Sequence, residues 1–251
     1  MIQATGKILS AALLLAFSTQ AQAQANKELV VDLSKSVVAI TTGFVGSDLL
    51  LFGTMEGEGD VIVVIRGPLR NQIVRRKERI AGIWVNSDEM LFDQVPDFYT
   101  LASNRPVDDF MVPETRDLHQ IGAAYLRMPP RETNLSAGEV NDYHNALIRN
   151  KQRQGLYSRK QGDVIFLSNR LFRTQVHFPA NVSVGTYGVD VHLVRNGEIA
   201  STVTTLLSVR KFGLEAAIFD FAHRHSMAYG ILAILIAAVA GWLASVAFRK
   251  V

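Results

Sequence analysis

One stretch near the end of the chain limits what everything before it can become. Ser226 to Phe248, SMAYGILAILIAAVAGWLASVAF, contains no charged residue. As a helix rising about 1.5 Å per residue it reaches roughly 34 Å, against about 30 Å of hydrocarbon in a bilayer. The stretch therefore reads as a transmembrane helix, and each earlier segment has to be placed relative to it. Along it, Ala233, Ala237, Gly241 and Ser245 fall at successive i,i+4 steps. Such a small-residue stripe lets a second helix approach closely, so these four are the candidate packing positions, for an integral membrane partner or for a homodimer. Plain anchoring in lipid is the alternative. Tyr229 and Trp242 stand near the two ends, as interfacial aromatics do.

The N-terminus indicates which side the bulk of the chain lies on. Lys7 supplies a positive start, Ile8 to Phe17 (ILSAALLLAF) an apolar run too short to span, and Ala21 with Ala23, or Ala23 with Ala25, an A-x-A cleavage site. Residues 1–25 are thus expected to be a signal peptide. The domain that follows is then exported to the periplasm, with the protein single-pass in the inner membrane and 249–251 a cytoplasmic tail. Charge flanking the last helix adds little, since Arg249-Lys250 on one side are balanced by Arg224 on the other.

Composition removes several function classes. The chain has no cysteine, hence no disulfide, thiol nucleophile, Cys-ligated zinc, haem-c attachment or lipidated cysteine. A formal charge of +3 over 251 residues is too small to argue for nucleic acid. Basic residues do cluster, in Arg75-Arg76-Lys77-Glu78-Arg79 and between Arg149 and Lys160. They fit a solvated face, or attraction to anionic headgroups or to an anionic ligand.

Between the ends, residues 26–211 read as one domain. From Glu28 to Gly67 the apolar residues follow a period of two in short runs broken by Gly and Asp, the pattern of antiparallel strands. The loop Glu56-Gly-Glu-Gly-Asp60 lacks the spacing of a calcium loop and reads as a solvated turn. Trp84 lies in a short strand, Ile83-Trp-Val85, and is expected to pack in or beside the core, with ligand stacking as the alternative. Strands return at Asp163, and Asn196-Gly197 suits the positive φ angles of a two-residue hairpin turn. The segment Gly185-Thr-Tyr187-Gly-Val189-Asp-Val191 resembles the last-but-one strand of immunoglobulin-like domains, where a tyrosine bonds back to the chain. On that resemblance Tyr187, Val189, Val191 and Leu193 face the core, while Asp190, His192 and, on the preceding strand, His177 face out. The expected fold class is mainly β: an Ig-like antiparallel β-sandwich with a helical insertion, plus one C-terminal transmembrane helix. Tyr187, Trp84, Asn196 and Gly197 are its fold-defining residues.

The insertion spans about 113–155. Leu118, Ile121, Tyr125 and Met128 recur at helical spacing between Pro113 and Pro129-Pro130. A second helix starts at Ser136, where Ser136 and Glu139 fit a capping box; Val140, Tyr143, Leu147 and Ile148 make its apolar face, and Gly155 stops it. His119 and His144 lie one on each helix, without a defined carboxylate partner for a metal site. Residues 212–225 form a juxtamembrane helix with His223 and His225 at headgroup level. Catalytic signatures such as G-x-S-x-G and H-E-x-x-H do not occur, so no catalytic, cofactor-binding or metal residue is assigned.

The signal, the opening SVVAITTGFVGSDLLLFG, the basic run ending AGIWVN, the VPDFY segment and the C-terminal helix together resemble the alphaproteobacterial putative transmembrane protein family. The likeness covers essentially the whole mature chain. It brings no catalytic residue with it, and implies occurrence beside membrane exporters of the sulfite-exporter type. The expectation is a non-enzymatic, membrane-anchored accessory protein for an integral membrane partner. The alternatives are a periplasmic anion-binding or sensing domain, or a hydrolase without a recognisable motif.

Overall fold

The computed structural model describes residues 28–131 and 135–248, so the expected signal peptide and the expected cytoplasmic tail lie outside the described residues. The described residues are mainly β, 46% strand and 27% helix. Strands β1 (Leu29–Leu33), β2 (Val37–Ile40), β3 (Gly46–Met55) and β4 (Asp60–Arg66) come first, then a long pair, β5 (Leu69–Ile80) and β6 (Ile83–Pro96), then β7 (Tyr99–Ser103). After the helical insertion come β8 (Gly162–Phe166), β9 (Leu171–Pro179), β10 (Gly185–Arg195) and β11 (Glu198–Lys211).

Nine of these strands form one large sheet in the order β1-β3-β9-β8-β7-β4-β10-β11-β2, and it curls until β1 lies against β11. Pairing is antiparallel except at β7·β8 and at β11·β2, which run parallel. Alternation in sequence becomes the two faces of the curl. Leu49 and Leu51 of β3 and Phe172, Val176 and Phe178 of β9 point inward, as do Tyr187, Val189, Val191 and Leu193 of β10. Aromatic rings join the facing halves: Phe98 stacks on Phe178 at 5.0 Å, and Phe178 meets Tyr187 edge-on at 5.7 Å. The Tyr187 hydroxyl donates to the Ser183 carbonyl at 2.6 Å, the corner expected from the sequence. Asn196 (φ 53°) and Gly197 (φ 83°) form the two-residue turn between β10 and β11.

The insertion differs from its sequence reading in one respect. Its first helix, α1 (Pro113–His119), ends one residue before Gln120, which adopts φ 54°. Only a short 3-10 turn at Ala123–Tyr125 follows. The helical spacing of Leu118, Ile121, Tyr125 and Met128 is therefore not one helix: Ile121 and Met128 are buried from an irregular segment, and Leu118 is exposed. The second helix, α2 (Ala137–Arg153), is as expected. Ser136 Oγ accepts from the Glu139 amide while the Glu139 carboxylate accepts from the Ser136 amide, and Gly155 at φ 73° turns the chain away.

This insertion covers the outer face of β4 and β10, which corrects the expectation that His192 faces out. Arg66 of β4 pairs with Asp190 and donates to the carbonyls of His119 and Gln120, fastening the segment after α1 across the sheet. His192 is buried beneath it together with its face neighbours Ile62 and Val64 of β4, while Val61, Val63 and Ile65 pair with the inward-pointing Leu193, Val191 and Val189, so that all five residues of this stretch are buried. His177 does face solvent, paired with Asp48.

Two helices close the chain. α3 (Leu214–Arg224) ends at His225, and α4 (Ser226–Phe248) begins directly after it. Within α4, Ser226–Val246 has mean hydropathy 2.2 and none of it is buried by the rest of the chain. No described side chain of α3 or α4 belongs to the hydrophobic core.

Candidate interaction surface

The β5–β6 hairpin leaves the large sheet as a separate two-stranded ribbon, and its two halves stand in different surroundings. The inner half is packed. Val74, Met90, Phe92 and Val95 are buried, and residues 129–131 add backbone pairing along β6 through Asp93 N–H to Pro129 O and Arg131 N–H to Leu91 O. Beneath it lies Asp97, buried at the hairpin's exit. Its carboxylate accepts from Lys151 of α2 at 3.0 Å, from Gln72 of β5 at 3.0 Å and from Ser183 before β10 at 3.0 Å, and pairs with Arg70 at 2.7 Å. One carboxylate thus joins the hairpin, the insertion and the sheet. The Lys151 side chain, only 6% exposed, is held there as the counter-charge rather than at a solvated helix end. The Tyr157 hydroxyl donates to Pro96 O at 2.7 Å, and burial pushes its ionisation well up.

Beyond Val74 and Met90 the ribbon has little beneath it. Arg75 pairs with Glu89 at 2.9 Å, and Arg76 lies over the Tyr143 ring at 5.0 Å. A register shift at Arg76/Lys77 leaves Ser87 as the extra residue, and the turn is made by Ala81 (φ 51°) and Gly82 (φ 87°). Ile80, Ile83 and Trp84 are 58%, 68% and 66% exposed. Trp84 is therefore not a core residue. Its alternation with Ile83 and Val85 is that of a strand with solvent on both faces. Cross-strand pairs share a face, so Ile80, Ile83 and Val85 line one side, while Trp84 lies beside Arg79 on the other with Lys77 next along. Lys77 and Arg79 make no ion pair among the described residues.

Other sequence candidates are dispersed. Ala233, Ala237, Gly241 and Ser245 are exposed along α4, with open space around Gly241. His144 Nε2 contacts the Leu126 carbonyl at 3.1 Å, whereas the His119 ring faces His192 at 6.4 Å, so the structure gives the two insertion histidines different partners. His192 Nδ1 meets Thr202 Oγ1 at 2.9 Å, its Nε2 has no hydrogen-bond partner among the described residues, and burial lowers its pKa to about 4. In the Glu56–Asp60 loop, Arg195 bonds the Glu56 and Glu58 carbonyls, while Arg105 binds Asp60 through both carboxylate oxygens and holds its carboxyl below the usual range. Among the described residues no cluster of three or more His, Asp or Glu is placed to hold a metal ion. An open groove between Arg66, Gln94, Gln120 and Arg127 has two cations on its rim, but Asp190 engages Arg66 and Asp117 lies 3.7 Å from Arg127.

The described residues thus combine a mainly β domain with one uncovered apolar helix, a candidate membrane span, which is the class of a membrane-anchored β protein. The chain belongs to the family described as Putative transmembrane protein (Alph_Pro_TM), whose model matches residues 28–250. A search of curated proteins finds no match.

Proposed function

We propose that the protein is a non-enzymatic accessory of an integral membrane protein, anchored by α4 in the inner membrane with its β domain in the periplasm. The observation that carries this reading is the separation of domain and helix. The β domain has a core to which no described side chain of α4 contributes, and Ser226–Val246 of α4 is left available to lipid and to another helix. The stripe Ala233, Ala237, Gly241 and Ser245 is the face proposed for that contact, with a second copy of the chain as the alternative occupant. The partner is proposed to be a transporter, of the sulfite-exporter type that the family resemblance implies.

Purification from mild detergent after in-cell crosslinking tests the reading. An integral membrane protein should be recovered with the native chain and lost with Gly241→Ile, while both forms remain in the membrane fraction. Recovery of a lone monomer under several crosslinkers contradicts it. The anion-sensing alternative draws on the basic stretches and on the exposed Trp84. A bound oxyanion at a hundred times its Kd should stabilise the fold by about 2.7 kcal/mol, which a thermal-shift screen would register.

A further inference from the structure

We propose that the outer half of the β5–β6 hairpin docks on an anionic lipid surface, its apolar turn residues entering the interface and its cations holding the headgroups. The inference rests on the membrane-anchored reading above and adds a second, reversible contact with the bilayer.

Three observations carry it. The first is reach: past Arg76, which still rests on Tyr143 of α2, the ribbon continues from Lys77 to Ile80 for four residues, all exposed. At about 3.3 Å per residue that is roughly 13 Å of overhang. The second is what sits at the end. Ile80, Ile83 and Trp84 crowd the turn, all more than half exposed, and tryptophan's amphipathic ring suits the boundary between headgroups and acyl chains. The third is charge complementarity. Between residues 76 and 86 there are three cations, Arg76, Lys77 and Arg79, against one acid, Glu78; Arg75 below them is neutralised by Glu89, and Asp88 lies opposite Arg76.

The same cations argue against a second copy as the occupant. Both edges of the outer ribbon are open, and Lys and Arg on an open edge discourage strand pairing with a like-charged ribbon. An anionic bilayer accepts that arrangement. Because α4 tethers the domain to the membrane, even weak docking is favoured by high effective concentration.

The test uses the full chain carrying Trp242→Phe, which leaves Trp84 as its single tryptophan. The protein is placed in nanodiscs of phosphatidylcholine alone or mixed with phosphatidylglycerol, with brominated acyl chains as quencher. In anionic discs Trp84 emission should shift to the blue, with bromolipid quenching at least twofold that in zwitterionic discs. Half-molar salt, or the triple variant Arg76→Gln, Lys77→Gln, Arg79→Gln, should return both signals to the zwitterionic level. The salt arm stands even if the variant folds poorly. Water-like, unquenched Trp84 emission in anionic discs overturns the proposal. So does quenching that ignores lipid charge, or protection of Trp84 that develops only in native membranes, which would point to a protein occupant. Loss of partner by Gly241→Ile with Trp84 docking intact leaves this inference standing, so the two proposals fail separately.

Discussion

The inner and outer halves of the β5–β6 hairpin are continuous strands in one antiparallel ladder, yet they have opposite relations to the rest of the molecule. The inner half rests on Phe92, Val95 and the Asp97–Lys151 pair, and binds the insertion to the sheet. The outer half holds its apolar side chains in the open. Identical strand pairing thus carries one half into the core and the other into solvent, and what decides between them is the layer underneath. Stability should be concentrated in the inner half and its surroundings, and recognition in the outer.

The largest effect expected from this contrast is at Asp97. Asp97→Ala leaves Lys151 charged and buried without a partner, and should lower unfolding free energy by about 3–5 kcal/mol. Adding Lys151→Met should restore part of the loss, because the stranded charge is then gone. Denaturant titration of both variants measures the difference; equal stability of Asp97→Ala and the native chain would remove the proposed hub.

Next in size is a pH effect from the outer face of the sheet, where the insertion buries His192. Its folded pKa, about 4, lies below the ordinary value of 6.5. Between those values the unfolded chain binds a proton that the folded chain does not. The contribution is complete above about pH 6.5 and is lost as pH falls towards about 4, at up to about 1.4 kcal/mol per unit. His192→Gln should flatten that part of the stability profile. Tyr187→Phe should cost about 1 kcal/mol through the unsatisfied Ser183 carbonyl. Smallest of all is the outer half: Trp84→Ser should change stability by no more than about 0.5 kcal/mol in chemical denaturation, and a larger loss would mean that the tip is structural.

Much of the architecture was legible because it is local. The period-two runs, the Asn196-Gly197 turn, the Ser136–Glu139 capping box and the Tyr187 corner all depend on residues within a few positions of one another. The apolar stretch 226–248 needs only its own length and composition. Less legible was what depends on distant layers. Trp84 alternates with its neighbours in the same way whether a core or solvent lies beneath, so periodicity could not show that the ribbon had left the sheet. Asp97 and Lys151 are 54 positions apart, and each by itself looks like a surface charge. His192 would face out from a bare sheet, and is buried because Arg66 fastens the insertion over it. The helical spacing from Leu118 to Met128 misled because the left-handed Gln120 ends α1 within it. Of the candidate surface, the basic run 75–79 was visible; its union with Ile80, Ile83 and Trp84 at a projecting turn was not.

The central claim is that the domain bearing this hairpin hangs outside the cytoplasm from α4. Because the native chain has no cysteine, single substitutions Ser87→Cys and Lys250→Cys give a direct test with a membrane-impermeant maleimide on spheroplasts. The expected result is labelling of Ser87→Cys in intact spheroplasts and of Lys250→Cys only after lysis. Labelling of Lys250→Cys in intact spheroplasts, with Ser87→Cys protected until lysis, would contradict it.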